Sequence, residues 1–213
     1  MSIQQFKKAE RNNLLSAEAR RILSILADKP VDEIATDEND RPFFMGSGLA
    51  GASSMDFNIS HSGSAVAVSL VHGAKVRTGC DIQLIRPGKN HKNIAEEYFS
   101  AAERDYILSQ DEALFKSDRF FQIWTLKECY IKLRGLSVFD MSKVPSFISC
   151  DDSGRYFFTF NDSDSSLLSF YLGELSYAGK RYILANAIEG ERGICPEIRQ
   201  FSSGGYFEKN ISF

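Results

Sequence analysis

Residues 114–133 contain neither glycine nor proline, and this uninterrupted run constrains the fold more than any other feature of the chain. Mixed apolar and charged residues over such a length read as one long helix, around which the rest must pack. Residues 14–27 carry apolar side chains at helical spacing (Leu14, Leu15, Ala19, Ile22, Leu23, Leu26) and end at Lys29-Pro30, a stop signal. A loop rich in Asp and Glu then runs to Arg41-Pro42. Short apolar stretches at 57–60 and 65–71 read as strands, and 76–85 reads as the antiparallel partner of 65–71 across a turn at His72-Gly73. Residues 98–108 read as one helix. After Gly135 strands return at 147–149, 156–160, 167–175 and 181–187, with turns at Asp152-Ser153-Gly154 and Ala178-Gly179. Helix, strands, helices, strands is the profile of an α+β protein, with halves meeting near residue 100. The tail from Ile194 is expected to be loosely held.

At 213 residues and 43% hydrophobic, the chain can bury one substantial core or two small fused ones. Its 25 basic and 28 acidic residues give a net charge of −3, so the whole molecule is no electrostatic lure for nucleic acid or anionic membrane. A local basic patch is compatible with that balance. Cys80, Cys129, Cys150 and Cys195 form no C-x-x-C pair and read as reduced thiols. Residues 1–11 are polar and lack the apolar run of a signal peptide, and no stretch approaches the ~18 apolar residues that span a bilayer. The expected location is the cytoplasm.

Three segments could carry chemistry. Phe57-Asn58-Ile59-Ser60-His61-Ser62-Gly63 is a short strand running into a polar turn; it offers donors to an anion such as phosphate, or is a turn whose hydroxyls bond their own backbone. In Gly79-Cys80-Asp81-Ile82-Gln83, strand alternation puts Asp81 and Gln83 on one face. An acid in an apolar strand needs a metal ion, a basic side chain or backbone donors to compensate it. In Trp124-Thr125-Leu126-Lys127-Glu128-Cys129-Tyr130-Ile131-Lys132, the residues Trp124, Glu128 and Lys132 fall four apart on one helix face, with Lys127 beside them. An exposed Glu-to-Lys pair would give the same spacing.

In order and spacing these segments resemble the 4′-phosphopantetheinyl transferase superfamily, whose hallmarks are an N-[IL]-S-H-S turn, a G-[IV]-D-[IV]-[EQ]-like strand and a W-[ST]-x-K-E-[ASC]-[YFL]-x-K helix. Arg41-Pro42, Arg86-Pro87 and Tyr98-Phe99-Ser100 followed by Glu103 are lesser matches. The resemblance implies two similar α/β subdomains related by a pseudo-twofold axis, with the active site in the cleft between them. Residues 1–100 would form the amino-terminal half, 101–190 the carboxy-terminal half and 191–213 a tail. It implies transfer of 4′-phosphopantetheine from coenzyme A to a serine of an acyl- or peptidyl-carrier protein, with Mg²⁺ held by Asp81, Gln83 and Glu128 and with 3′,5′-ADP released. Glu128 would be the base and Lys132 would stabilise departing charge; Arg41, Ser60, His61, Arg86 and Lys132 would contact the phosphates of coenzyme A. Lys116, Arg119, Lys127, Lys132 and Arg134, with Phe120, Phe121 or Leu136, would dock an acidic carrier. By length and motif the chain resembles the monomeric, broad-specificity branch that serves secondary metabolism.

Two departures from the family pattern stand out. Many members have Glu where this chain has Gln83, a weaker metal ligand, so a water would complete the shell. Many also carry a strand and further basic residues before the first helix, a role that Lys7, Lys8 and Arg11 would take here, unless they form a solvated cluster. Rival readings are another Mg²⁺-dependent pyrophosphate-cleaving enzyme and a non-catalytic binder of coenzyme A or nucleotide.

Overall fold

The computed structural model describes residues 3–37, 41–45, 55–73, 75–86, 91–109, 113–149, 158–159, 168–190, 201–202 and 205–206. Helix α1 spans Ile3–Ala27, starting well before the apolar period that marks residues 14–27. Its first part is rich in good helix formers and has no glycine or proline, and its later turns bury Ala19, Ile22, Leu23 and Ala27. The helix stops where Asp28 turns left-handed (φ 50°) ahead of Lys29-Pro30. The acidic loop then forms a 3₁₀ turn (Val31–Glu33) and a small antiparallel hairpin of β1 (Ile34–Thr36) and β2 (Pro42–Phe44), which the sequence reading does not anticipate.

Strands β3 (Met55–Ser62) and β4 (Ala65–His72) pair antiparallel across Gly63-Ser64, with Gly63 at φ +60°. The motif Asn58-Ile59-Ser60-His61-Ser62 is therefore strand, and the turn follows it. α1 packs on this hairpin through a core of Leu23, Ala27, Ile34, Phe44 and Phe57.

Strand β5 (Arg77–Leu84) corrects the expectation that residues 76–85 pair with 65–71. It pairs antiparallel with β9 (Lys180–Glu189), which in turn pairs with β8 (Leu168–Tyr177), in the order β5-β9-β8. The side of β5 turned toward β3 is closed by side chains rather than by a backbone ladder. The N–H groups of Thr78, Cys80, Ile82 and Leu84 donate to Asp56 (2.8 Å), Asn58 (3.2 Å), Ser60 (3.3 Å) and Ser62 (3.0 Å). The constant offset shows that β3 and β5 run in the same direction. Alternate polar residues of β3 thus occupy the position β4 would otherwise take, and β4 is left to the tight hairpin.

The helix expected over 98–108 is realised as α3 (Ala101–Leu108), and α2 (His91–Tyr98), which the sequence reading does not anticipate, precedes it in what would otherwise be one long helix. Ser100 breaks it as a capping box: its hydroxyl accepts from Glu103 N (3.2 Å), and the Glu103 carboxylate accepts from Ser100 N (2.7 Å). Helix α4 (Ala113–Arg134) is the long helix of residues 114–133, and it lies across β5 and β9. Leu126, Leu133, Phe147, Ile183 and Ala187 belong to its core. Phe120 and Phe121 are buried there, and Trp124 stacks on Phe120. These two phenylalanines are thus core side chains, not part of an exposed docking stripe.

Short strands β6 (Ile148–Ser149) and β7 (Phe158–Thr159) pair with each other, as do β10 (Phe201–Ser202) and β11 (Gly205–Tyr206). The expected turn at 152–154 and most of the tail lie outside the described residues. No described helix is long and apolar enough to cross a membrane.

Lys127, expected beside the exposed basic residues, is instead 2% exposed and pairs at 3.2 Å with Glu103, itself fully buried. Its ammonium also donates to the Pro145 carbonyl (3.3 Å), and Glu103 accepts from Phe147 N (2.8 Å). The pair ties α3, α4 and the segment leading to β6. It leaves Lys127 no part in a carrier-docking surface. Removing one member of such a pair strands a buried charge. Lys127→Met is expected to destabilise the protein by about 3–5 kcal/mol, read from urea unfolding; a loss below 1 kcal/mol would count against this role.

Candidate active site

Asp81 stands in the middle of β5 and is 1% exposed. Isolated, a buried carboxylate costs several kcal/mol, so its partners decide the site. They come from three elements. Ser60 of β3 donates its hydroxyl to Oδ1 (2.7 Å), Lys132 of α4 donates its ammonium to the same oxygen (2.6 Å), and Gln83 donates from Nε2 to Oδ2 (2.9 Å). Lys132 also donates to Ser60 Oγ (2.7 Å). Burial alone would lower the Lys132 pKa, but Asp81, with help from Cys80 and Glu128, holds it above its ordinary value.

Glu128 lies one turn before Lys132 on α4 and is half-buried. Among the described residues no hydrogen bond or ion pair forms to its carboxylate. Burial, then repulsion from Asp81, lifts its pKa from 4.5 to about 7, with Lys132 pulling the other way. Asp81 and Glu128 thus feel each other across the contact between strand and helix.

Gly79 permits that contact. A Cβ at this position would lie 2.4 Å from the Cys129 carbonyl oxygen and 2.8 Å from Leu133 N, both helix backbone that cannot move aside. The Cys129 thiol donates to the Gly79 carbonyl (3.2 Å) and stitches the same point. Any larger residue at 79 would push α4 off β5 and part the two acids. Cys80 and Cys129 are free and buried, and burial pushes the Cys80 thiol up to about 12, so neither is a nucleophile. Cys150 and Cys195 lie outside the described residues.

The other expected site residues fall differently. His61 is half-buried; burial, then the charges of Lys132 and Arg11, lower its pKa, so Arg11 on α1 and Lys132 on α4 both act on it. Arg41 pairs with Asp56 (2.8 Å) and donates to the carbonyls of Lys132, Leu133 (3.5 Å) and Thr78 (3.3 Å), capping the end of α4 where the helix dipole favours a cation. Arg86 is exposed just past β5, and its charge acts on His91. Nothing is described of the Lys7 and Lys8 side chains. Sequence reasoning misses Gly79 as a steric requirement and the hydroxyl that Ser60 gives to Asp81. The available signal is that both stand inside the quoted motifs, Gly79 two positions before Asp81 and Ser60 between Asn58 and Ser62.

Among the described residues no group of three or more His, Cys, Asp and Glu side chains could hold a metal by themselves. Two carboxylates and an amide do fit Mg²⁺, which takes one or two carboxylates and completes its shell with water and substrate phosphates. Repulsion from Asp81, which adds to burial in lifting Glu128, is what a divalent cation between the acids would relieve.

A buried acid paired to a lysine, with a second acid beside it whose pKa is displaced toward neutrality, is the electrostatic character of an active site. The chain belongs to the 4′-phosphopantetheinyl transferase superfamily, whose family pattern matches residues 77–187, more than half of it. It is 35% identical over 128 residues to the 4′-phosphopantetheinyl transferase AcpT of Salmonella typhimurium, covering 60% of this chain and 62% of that one. It is 35% identical over 119 residues to AcpT of Escherichia coli K12 (55% and 56%) and 36% identical over 121 residues to the transferase psf-1 of Bacillus pumilus (56% and 47%). The chain thus matches less than two thirds of the length of these relatives. A solved apo-ACPS structure from Chronobacterium ammoiniagenes is similar at TM-score 0.35 and 13% identity over 55% of this chain and 98% of that one, too low to compare architectures.

The sign of the Glu128 shift fixes a pH dependence. The folded site favours the neutral carboxyl, so the stability Glu128 contributes is complete below its ordinary 4.5 and is lost as pH rises through about 7. Without divalent cations, Glu128→Gln is expected to melt higher than wild type at pH 8 and to lose that advantage toward pH 5. Melting curves across this range check it; parallel profiles would mean that Glu128 is not perturbed.

Proposed function

We propose that the chain is a holo-[carrier-protein] synthase, transferring 4′-phosphopantetheine from coenzyme A to a serine of an acyl- or peptidyl-carrier protein, with Mg²⁺ as cofactor. The observation that carries this reading is two carboxylates brought together from facing elements, Asp81 on β5 and Glu128 on α4, with Lys132 beside them. The serine oxygen attacks the phosphorus nearer the pantetheine; the new O–P bond forms as the P–O bond to 3′,5′-ADP breaks, and the hydroxyl proton passes to Glu128. Lys132, one turn on, stabilises the charge on the departing phosphate. His61, kept mostly neutral by its surroundings, takes up a proton readily once a phosphate lies beside it.

Asp81 and Glu128 would hold Mg²⁺, with Gln83 acting through its amide oxygen or a water. Bound there, the ion would neutralise charge on the pyrophosphate and the reacting phosphorus. Arg86 belongs to the coenzyme A side of this reading, whereas a phosphate would reach Arg41 only in exchange for one of its present contacts. The two halves, 1–100 and 101–190, would be related by a pseudo-twofold axis with the site in the cleft between them. What supports this is that Asp81 comes from one half and Glu128 and Lys132 from the other. A cytoplasmic monomer serving secondary-metabolite carriers completes the proposal.

The test is the intact mass of apo acyl- and peptidyl-carrier proteins after incubation with this protein, coenzyme A and Mg²⁺. The expected result is a gain of one phosphopantetheine unit, abolished by chelation and slowed ~10²-fold or more in Glu128→Gln, the scale for losing a positioned base. No gain with either kind of carrier would overturn the reading.

A further inference from the structure

Tyr182, near the start of β9, is fully buried. Its ring belongs in an apolar interior, but its hydroxyl needs a partner once water is excluded. Among the described residues that partner is Ser64, whose hydroxyl lies 3.2 Å away in the turn between β3 and β4. The turn is seated closely there. A Cβ at Gly63 would lie 3.2 Å from the Tyr182 hydroxyl oxygen and 3.0 Å from a methyl of Leu84. Tyr182 and Leu84 are register partners across β9 and β5, and Leu84 N donates to Ser62 Oγ (3.0 Å). The two serines flanking Gly63 are thus fastened to one cross-strand pair.

His61 directly precedes this clip on β3. Strand alternation turns it to the face opposite Ser60 and Ser62. On that face Ile59 packs on the core beneath α1, and the charge of Arg11 on α1 acts on His61. The clip therefore holds the end of β3 from behind, without occupying the face that His61 presents. The reacting groups Glu128 and Lys132 stand on α4, whose close approach to β5 is set at Gly79, five residues along the strand from Leu84.

We propose that Tyr182 is a positioning residue for coenzyme A binding: through Ser64 it seats the β3–β4 turn on β9 and so holds His61 where a phosphate of the cosubstrate meets it. This inference rests on the transferase reading and on His61 as a phosphate partner. A turn released from Tyr182 must be ordered again when the phosphate arrives, and that ordering is subtracted from binding.

The experiment compares full-length wild type, Tyr182→Phe, His61→Ala and the double variant. Calorimetric titration with coenzyme A gives Kd without a carrier, and carrier modification gives KM and kcat. Tyr182→Phe removes one oxygen and strands nothing, since Ser64 is exposed and finds water. It is expected to weaken coenzyme A binding about 5-fold, the scale of one net hydrogen bond, and to raise KM with kcat within about 2-fold. In the His61→Ala background the same change is expected to cost less than about 2-fold, because the two residues act in series. A role in packing alone would lower the melting temperature and leave Kd where it was. Unchanged Kd in Tyr182→Phe overturns the inference, as does an equal loss that persists without His61. Should Tyr182→Phe fail to fold, Ser64→Ala removes the same bond from its exposed end, and the same readings apply. Wild type that binds coenzyme A but modifies no carrier would count against the transferase reading and leave the Kd comparison to decide the role of Tyr182; wild type that binds no coenzyme A overturns both.

Discussion

A carboxylate in the middle of a buried strand is the constraint on which the structure depends. Asp81 is all but sealed from solvent, yet it stays compatible with folding because three elements deliver donors to it. Lys132 brings charge, Ser60 and Gln83 bring hydrogen bonds, and each must arrive within about 3 Å. That requirement sets how closely α4 lies on β5, and hence why position 79 has no side chain. The same closeness brings Glu128 into the field of Asp81 and moves its proton affinity into the neutral range.

Around this centre, several ionic contacts serve as fasteners. Lys127 and Glu103 lock α4 to α3 from the side opposite the strand contact, and Glu103 also closes the cap that separates α2 from α3. Arg134 pairs with Glu189 at the end of β9, and Arg181 bridges Asp118 and Glu174 near the start of α4. With Arg41 at its carboxyl end, α4 is held at both termini and along its flank, so Glu128 and Lys132 keep a fixed rotation relative to β5. A base and a charge stabiliser are useful only in such a fixed geometry.

Much of this is legible in the sequence, for physical reasons that also mark its limits. The fourfold spacing of Trp124, Glu128 and Lys132 and the alternation of Asp81 and Gln83 are local geometry, and both are realised. The partner of β5 is not local. Adjacency in the chain favours β4, whereas the strand that pairs with it lies about a hundred residues away. Lys127 sits beside Glu128 in the helical projection, and only the burial of Glu103, on another helix, reveals that it faces inward. The break at Ser100 is written in a capping box, but an apolar period running across it outweighs that signal in a linear reading. Arg41 and Ser60 are expected to contact phosphate only through the family resemblance, and the hydrogen bonds they make to α4 and Asp81 exist only in three dimensions.

The row of Asp56, Asn58, Ser60 and Ser62 against β5 has a consequence for local opening. In an ordinary sheet, slow amide exchange is a property of two backbones and is insensitive to side-chain identity. Here the protection of the Thr78, Cys80, Ile82 and Leu84 amides is written into four side chains of a neighbouring strand. Each amide can be uncovered singly, by one substitution, while β5 stays paired to β9 on its other edge. The rigidity of the strand that bears Asp81 is thus adjustable position by position, without any change to the strand itself.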